Sequence, residues 1–279
     1  MAKRQPALDT QSAFGSRKAT FGQWLVWALA DWRPLGPRLR RLLRKRFARP
    51  VTGPFDVRHQ GMALRLYPAE NHCDRVIFGR QELPEQSEHD AIVPLIFSGM
   101  VFVDIGANVG SYSVFVGNHA AKNARLLAFE PHPRTHQKLL YNLAANGLAT
   151  DDVLNCGVGE REEVLSLWSD GGSNIGHTSL LAEGTANAKV SVDVPVRPLL
   201  SVLEERGISR IDLMKVDIEG FEDRALAPFL NTAPDSLLPS HVLMEMEHQH
   251  LWRHDLVDLL HERGYAANAV TSLNTLFSR

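Results

Sequence analysis

The sequence predicts an α/β fold wound on both faces of a mostly parallel sheet. Three observations carry that prediction. From residue 101 onward, apolar runs alternate with helix-type stretches at strand–helix spacing. The runs RLLAFE and IDLMKVD are nearly continuous in apolar residues, as suits strands buried on both faces. A glycine turn, DIGANVG at 104–110, follows one such strand and opens a helix, which is where open α/β sheets bind ligands.

The elements follow in order. Residues 1–20 are polar and small and are expected to be disordered. FGQWLVWALADW (21–32) is too short to span a membrane and lacks a small-x-small cleavage site, so it reads as an amphipathic or packing helix. Residues 33–49 hold eight Arg/Lys and no acid, with Leu39, Leu42, Leu43 and Phe47 at helical spacing. One reading is a basic amphipathic helix that makes peripheral contact with an anionic membrane or docks on an acidic partner. The favoured one is a solvated face whose leucines pack on the main domain, since most charge runs are solvated faces. Residues 1–50 thus form an arm and 51–279 the main domain, with its ligand-binding core at 98–250. FDVRHQGMALRLYP predicts a β-hairpin turning near Gly61, and DRVIFG (74–79) a further strand. SEHDAIVPLIFSG (87–99) predicts a helix ending at Gly99. Strands are then expected at 101–105, 126–130, 153–158, 211–216 and 241–246. Helices are expected at 111–120, 134–146, 199–206, 221–230 and 254–263. Between 159 and 198, EVLSLW and VSVDVPVRP read as strands flanking a long Gly/Ser/Asn-rich loop.

Composition narrows the class. The 279 residues are 44% apolar and 22% charged, with a net charge of −2, so no global field favours nucleic acid. Cys73 and Cys156 make neither a disulfide framework nor a CxxC zinc pattern, and a reducing cytoplasm is the expected location.

The glycine turn selects its ligand by what it lacks. Gly106 permits a tight turn with no Cβ in the way, and Gly110 lets the chain enter the next helix close to the sheet. The middle glycine of a dinucleotide fingerprint is missing, and so is a Walker lysine. Asp104 instead places a carboxylate beside the turn, which suits an amine or sulfonium and suits a pyrophosphate poorly. Glu130 ends the next strand, 20 residues after Gly110, where an acid accepts ribose hydroxyls. Taken singly, Asp104 reads equally as a helix N-cap and Glu130 as a strand-end acid beside Pro131. Together they imply an adenosine-type ligand without phosphates, and S-adenosylmethionine fits.

Four blocks in order, FVDIGANVGSYS, AFEPHPRTHQKLLYNLAANG, SNIGHTSL and IDLMKVDIEGFEDRAL, carry a family resemblance. The chain resembles the FkbM-type S-adenosylmethionine-dependent methyltransferases over residues 55–279, most clearly over 101–247. The first block is shared by many methyltransferases; the last, running from Lys215 to Glu222, is far more specific. The resemblance implies a class I methyltransferase fold, Rossmann-like with seven strands. It implies S-adenosylmethionine as donor and a hydroxyl oxygen as acceptor, on a small molecule, sugar or glycolipid-like compound. Carried over position by position, Asp104, Gly106, Asn108 and Gly110 form the donor loop and Glu130 binds the ribose. Asn142 and Asn146 match positions that shape the site. The basic arm lies outside the shared pattern, and the strands after Gly264 are too short to place.

Methyl transfer to an alcohol is an in-line displacement that also needs a proton acceptor. Asp217 and Glu219 stand two apart at a strand end, hence on one face if the strand runs that far. Asp217 is the first choice as base or acceptor ligand, because burial beside a second carboxylate raises a pKa. Glu219 and Glu222 come next, with Lys215 as a partner to one of the acids; the competing reading has these acids cap the helix near Phe221. His177, in the polar loop, titrates near neutrality and is a second candidate base, or else an exposed loop histidine. Asn174 and Ser179 in the same loop are placed to hydrogen-bond an acceptor. Glu245 points toward the acceptor pocket. His250 and His254 are four apart, but a single such pair is weak evidence, so no metal is expected.

The enzyme reading competes with a catalytically inactive methyltransferase-like binding module. A nicotinamide enzyme is disfavoured by the missing glycine and by the absence of Tyr-x-x-x-Lys. Methylation of nucleic acid is disfavoured by the absence of an NPPY-type tetrapeptide.

Overall fold

In the computed structural model, residues 7–169, 178–185, 188–271 and 273–279 are described, and they fall into two units that divide after Gln86. The hairpin, assigned to the main domain from sequence, clusters with the arm.

In the first unit, α1 (Phe21–Ala30) starts at a capping box in which Thr20 and Gln23 satisfy each other's backbone N–H groups. It buries Trp27 and Ala30 and runs close to α3 (His72–Arg80): a Cβ on Gly79 would lie 3.2 Å from the Trp27 carbonyl. Between them in sequence, α2 (Pro37–Leu43) opens on proline and continues into a π-helical turn at Arg44–Ala48. The leucines were expected to pack inward. Instead Leu39, Leu42 and Phe47 are exposed at 45%, 60% and 57%. β1 (Phe55–His59) and β2 (Met62–Leu66) form the expected hairpin around Gln60 and Gly61. Residues 74–79, expected as a strand, are helical. The Asn71 side chain accepts from the Cys73 and Asp74 N–H groups, and that cap overrides the β-type run. Residues 7–20 are ordered, contrary to expectation. Arg65 is buried, donates to the carbonyls of Asp9, Ser12 and Ala13, and pairs with Asp56 at 2.7 Å.

In the second unit, α4 (Gln86–Ile92) stops early because Pro94 forces a 3-10 turn at Val93–Leu95; the helix does not reach Gly99. The sheet then assembles from β3 (Val101–Ile105), β4 (Arg125–Phe129) and β5 (Val153–Leu154). The expected strand at 153–158 is divided. Asn155 turns its side chain back to the carbonyls of Glu130 and Pro131, and β6 (Gly157–Val158) leaves for a second sheet with β7 (Glu163–Ser169) and β8 (Val190–Arg197). The main sheet continues with β9 (Leu213–Val216), β10 (His241–Glu245), β11 (Ala266–Ala269) and β12 (Asn274–Ser278). Its seven strands run β11-β12-β10-β9-β3-β4-β5. β5-β4-β3-β9-β10 are parallel, and β12 is inserted antiparallel between β10 and β11. This is the mostly parallel, doubly wound sheet of a class I methyltransferase, and it places the strands after Gly264. The connection from β3 leads toward one edge of the sheet and that from neighbouring β9 toward the other, so the adjacent carboxyl ends of β3 and β9 form a topological switch point. Five helices accompany it: α5 (Ser111–His119), α6 (Pro133–Ala145), α7 (Leu199–Glu205), α8 (Glu222–Thr232) and α9 (Leu256–Glu262). The core joins Val103, Leu127, Phe129, Met214 and Val242 of the strands to Leu226 and Leu260 of the helices. No described helix is long and apolar enough to cross a membrane.

Candidate active site

Four neighbouring parallel strands end at acids: Asp104 on β3, Glu130 after β4, Asp217 after β9 and Glu245 on β10. Parallel strands buried on both faces admit charge mainly near their ends, and four of the five parallel strands place a carboxylate there.

Asp104 is buried. One oxygen accepts the Ser113 hydroxyl at 2.6 Å, and the other, Oδ1, is buried without a hydrogen-bond partner among the described residues. Burial pushes its pKa up, and Lys215 and Ser113 pull against that. The N-cap of α5 is Gly110, not Asp104. Glu130 accepts the backbone N–H of Asn108 at 2.9 Å and of His132 at 2.8 Å. Burial lifts its pKa to about 7 despite those two donors. Each carboxylate oxygen keeps a second lone pair, so Glu130 is still able to accept from a diol. Asn108 sits in the left-handed region at φ 51°, a conformation asparagine tolerates.

The glycines have more specific reasons than the sequence suggested. A Cβ on Gly106, at φ 82°, would stand 2.0 Å from the Asp217 carbonyl oxygen. Glycine there lets the donor loop touch the end of β9. A Cβ on Gly110 would lie 2.6 Å from the Leu139 side chain, so this glycine admits α6 rather than the sheet. Asn142 on α6 is fully buried and donates to the Val109 carbonyl at 2.9 Å. It braces the loop from behind. Asn146, the C-cap of α6, donates to the Asn142 carbonyl at 2.7 Å and continues that brace.

On the other side of β3, Lys215 holds Asp217 at 2.9 Å and lies over the Tyr112 ring. The Asp217 side chain is 31% exposed, the most accessible partner of that pair. The expectation that Asp217 and Glu219 share a strand face fails, because β9 ends at Val216 and Glu219 turns at φ 55°. Glu219 instead meets His248 Nε2 at 3.1 Å. Glu222 is buried and braces the turn: it accepts the Ile218 and Gly220 N–H groups and the Trp252 indole at 2.9 Å. Those bonds commit it to the turn that leads into α8. Ser179 donates to the Glu219 carbonyl at 2.7 Å and so is committed to the backbone. His177 and Asn174 lie outside the described residues. His250 sits in a 3-10 turn and His254 precedes α9, so they do not form a helical pair.

Two residues gain importance that the sequence reading left at the margin. Glu245 Oε2 is buried with no partner among the described residues, and burial together with Asp217, Glu219 and Glu222 drives its pKa far upward. His248 brings a ring nitrogen to the same place: donor atoms of Glu219, Glu245 and His248 lie within 4.8 Å of one another, a set able to hold a divalent cation. The signal for Glu245 was present, since HVLME closes on an acid as VFVD and LLAFE do. His248 has no such signal, because a turn brings it back.

A model of the methyltransferase FkbM domain matches residues 104–267. The chain belongs to the FkbM methyltransferase family. Methyltransferase sdnD of Sordaria araneosa is 33% identical over 154 residues, 45% of this chain and 58% of that protein. Methyltransferase 1 of Beauveria bassiana is 26% identical over 190 residues, 62% of this chain and 70% of that protein. The match to sdnD thus spans less than two thirds of its length. Among solved structures, an FkbM methyltransferase from Methylobacillus flagellatus KT aligns over 92% of this chain and 58% of its own, with 15% identity and a TM-score of 0.42. The donor of FkbM methyltransferases is S-adenosylmethionine, and the strand ends fit it. The unpartnered oxygen of Asp104 suits its ammonium or sulfonium charge, and Glu130 suits its ribose.

Proposed function

We propose that the protein transfers the methyl group of S-adenosylmethionine to a hydroxyl oxygen of a small molecule, sugar or glycolipid-like acceptor. The observation that carries this reading is the position of Asp217: an accessible carboxylate, paired to Lys215, whose backbone touches the donor loop at Gly106. An in-line transfer needs the acceptor oxygen held beside the methyl group and its proton taken as the bond forms. Lys215 pairs with Asp217 and aims it. Asp104 and Glu130 hold the donor, and the Gly106 contact fixes the distance between donor loop and base. Glu245, with its raised pKa, carries a proton at neutral pH and supplies a hydrogen bond to the acceptor. His177 is the second candidate base. Location in the cytoplasm and an acceptor other than nucleic acid belong to the same proposal.

The test is Asp217→Asn, with transfer of a labelled methyl group to hydroxylated acceptors and binding of S-adenosylhomocysteine measured side by side. The expected result is a fall in turnover of about 10²–10⁴-fold with donor binding kept. Turnover unchanged in Asp217→Asn and lost in His177→Ala would move the base to the loop. Donor binding with no transfer to any acceptor would favour the inactive binding module.

A further inference from the structure

The first unit carries a surface that the methyl-transfer site does not use. Along α1, Phe21, Leu25 and Leu29 recur every fourth residue, and Trp32 follows; their exposures run from 36% to 73%. The opposite side of the same helix buries Trp27 and Ala30. On α2 and its π-helical extension, Leu39, Leu42 and Phe47 are also exposed. Seven large exposed apolar side chains between residues 21 and 47, across α1, α2 and the π-helical turn, exceed what a soluble monomer scatters singly over its surface.

Positive charge accompanies them. The segment 33–49 has eight Arg/Lys and no acid. Arg41, Arg44, Lys45, Arg49 and Arg75 line a cavity of about 320 Å³ with Trp27 in its wall, and its described lining includes no Asp or Glu. Behind it the fully buried Asp31 serves three guanidiniums, with Arg44 at 2.6 Å, Arg80 at 3.0 Å and Arg75 at 3.6 Å. One carboxylate among three arginines leaves the cluster net positive. Burial, with Arg44 and Arg80 nearby, brings the Arg75 pKa down to about 10 even though Asp31 opposes it. An anion in the cavity would relieve that imbalance.

We infer that the α1–α2 segment docks on an anionic lipid surface, with its leucines, Phe21, Phe47 and Trp32 in the acyl boundary and a headgroup phosphate in the Arg41–Arg44–Lys45–Arg49–Arg75 cavity. Charge complementarity selects the occupant. Exposed Phe and Leu on α1, with Trp32 after it, are followed by exposed Leu and Phe among the arginines of α2 and its extension, and apolar side chains with clustered Lys/Arg are the composition of interfacial helices. A nucleic acid backbone would use the arginines but would leave the aliphatic Leu25, Leu29, Leu39 and Leu42 in water. The inference stands on the first unit alone and does not depend on the methyl-transfer reading.

The experiment is flotation of the full chain with phosphatidylcholine vesicles, with and without phosphatidylserine, at low and high salt. Binding is expected only with phosphatidylserine and should weaken with salt, since the attraction acts within a Debye length. Arg41→Gln with Lys45→Gln should weaken partitioning about 30-fold, each surface cation being worth about 1 kcal/mol. Leu25→Ser with Leu29→Ser should also abolish flotation. Both positions are solvent-exposed, so an unchanged circular dichroism melt is expected and separates lost docking from lost folding. Four outcomes would overturn the inference. They are no flotation with phosphatidylserine, equal flotation without it, a wild-type dimer that the leucine variant dissociates, or stabilisation by inorganic phosphate or RNA in place of vesicle binding.

Discussion

The acids at the ends of β3 and β4 and those at the ends of β9 and β10 occupy equivalent places in one sheet, yet they are held in opposite ways. Glu130 has a backbone N–H on each oxygen, and Asp104 has the Ser113 hydroxyl on one. These groups knit the donor loop to the sheet. At the other end the carboxylates face each other. Asp217 leans on Lys215, Glu219 on His248, and Glu245 keeps a buried oxygen without a partner among the described residues. The difference separates two tasks. At β3 and β4 only Glu130 is satisfied by main chain, Asp104 keeping one buried oxygen without a partner among the described residues, and on the proposed function the β9–β10 end keeps its proton-binding capacity for a substrate.

That contrast is easiest to break at the point where the two ends touch. Gly106→Ala places a Cβ on the Asp217 carbonyl in a left-handed backbone, and should cost more than about 3 kcal/mol in denaturant unfolding. Stability close to wild type would mean that the loops are not in contact in solution.

The next effect is one of pH. The Glu130 carboxyl, at about 7 against an ordinary 4.5, holds its proton more tightly in the folded chain than in the unfolded one. The folded state therefore binds the extra proton between these values, and stability falls as pH rises from about 4.5 to about 7. The loss is on the order of 3 kcal/mol, and Glu130→Gln should flatten it in melts taken across the window. Asp104 and Glu222, also raised by burial, leave a residual slope of the same sign. A slope identical to wild type in Glu130→Gln would assign the pH dependence to Asp104, Glu222 and Glu245, the other acids raised by burial.

Asn142→Ala removes the brace on Val109 and leaves a buried carbonyl unsatisfied, an expected cost of about 2 kcal/mol together with weaker S-adenosylhomocysteine binding in calorimetry. The smallest effect belongs to the acceptor end. Burial and the neighbouring carboxylates raise the Glu245 pKa far above the usual range, which favours the protonated form that glutamine resembles, so Glu245→Gln should change stability by no more than about 0.5 kcal/mol. A large destabilisation would make Glu245 a structural acid like Glu130 and would erase the contrast.

Much of this was legible in the residues. The parallel strands read correctly because burial on both faces leaves a continuous apolar signature, as in IDLMKVD. Asp104 and Glu130 were legible because an acid ending such a run has no packing role. The failures share a cause in contacts that sequence spacing does not encode. DRVIFG has a β-type composition, yet one asparagine immediately before the helix decided its state. The strand at 153–158 was divided by a single side chain, Asn155, bonding back to the preceding strand end. Gly106 was recognised as a turn residue, but the reason it must be glycine is a carbonyl more than a hundred positions away. Glu219 was assigned by strand period just beyond the point where the strand stops.

The insertion of β12 between β10 and β11 has a consequence for the order of synthesis. β3, β4 and β5 emerge first and pair with one another, so the donor half of the sheet is available early. β10 finds β9 at once, but its other edge, His241–Glu245, stays open until Asn274–Ser278 has been made and runs back against it. A chain stalled in that interval would present an unpaired apolar edge ending in Glu245, the kind of template to which other strands add and chaperones attend. Closing the sheet and completing the acceptor end are thus a single late event, so a nascent chain able to hold the donor is not yet one able to place the acceptor.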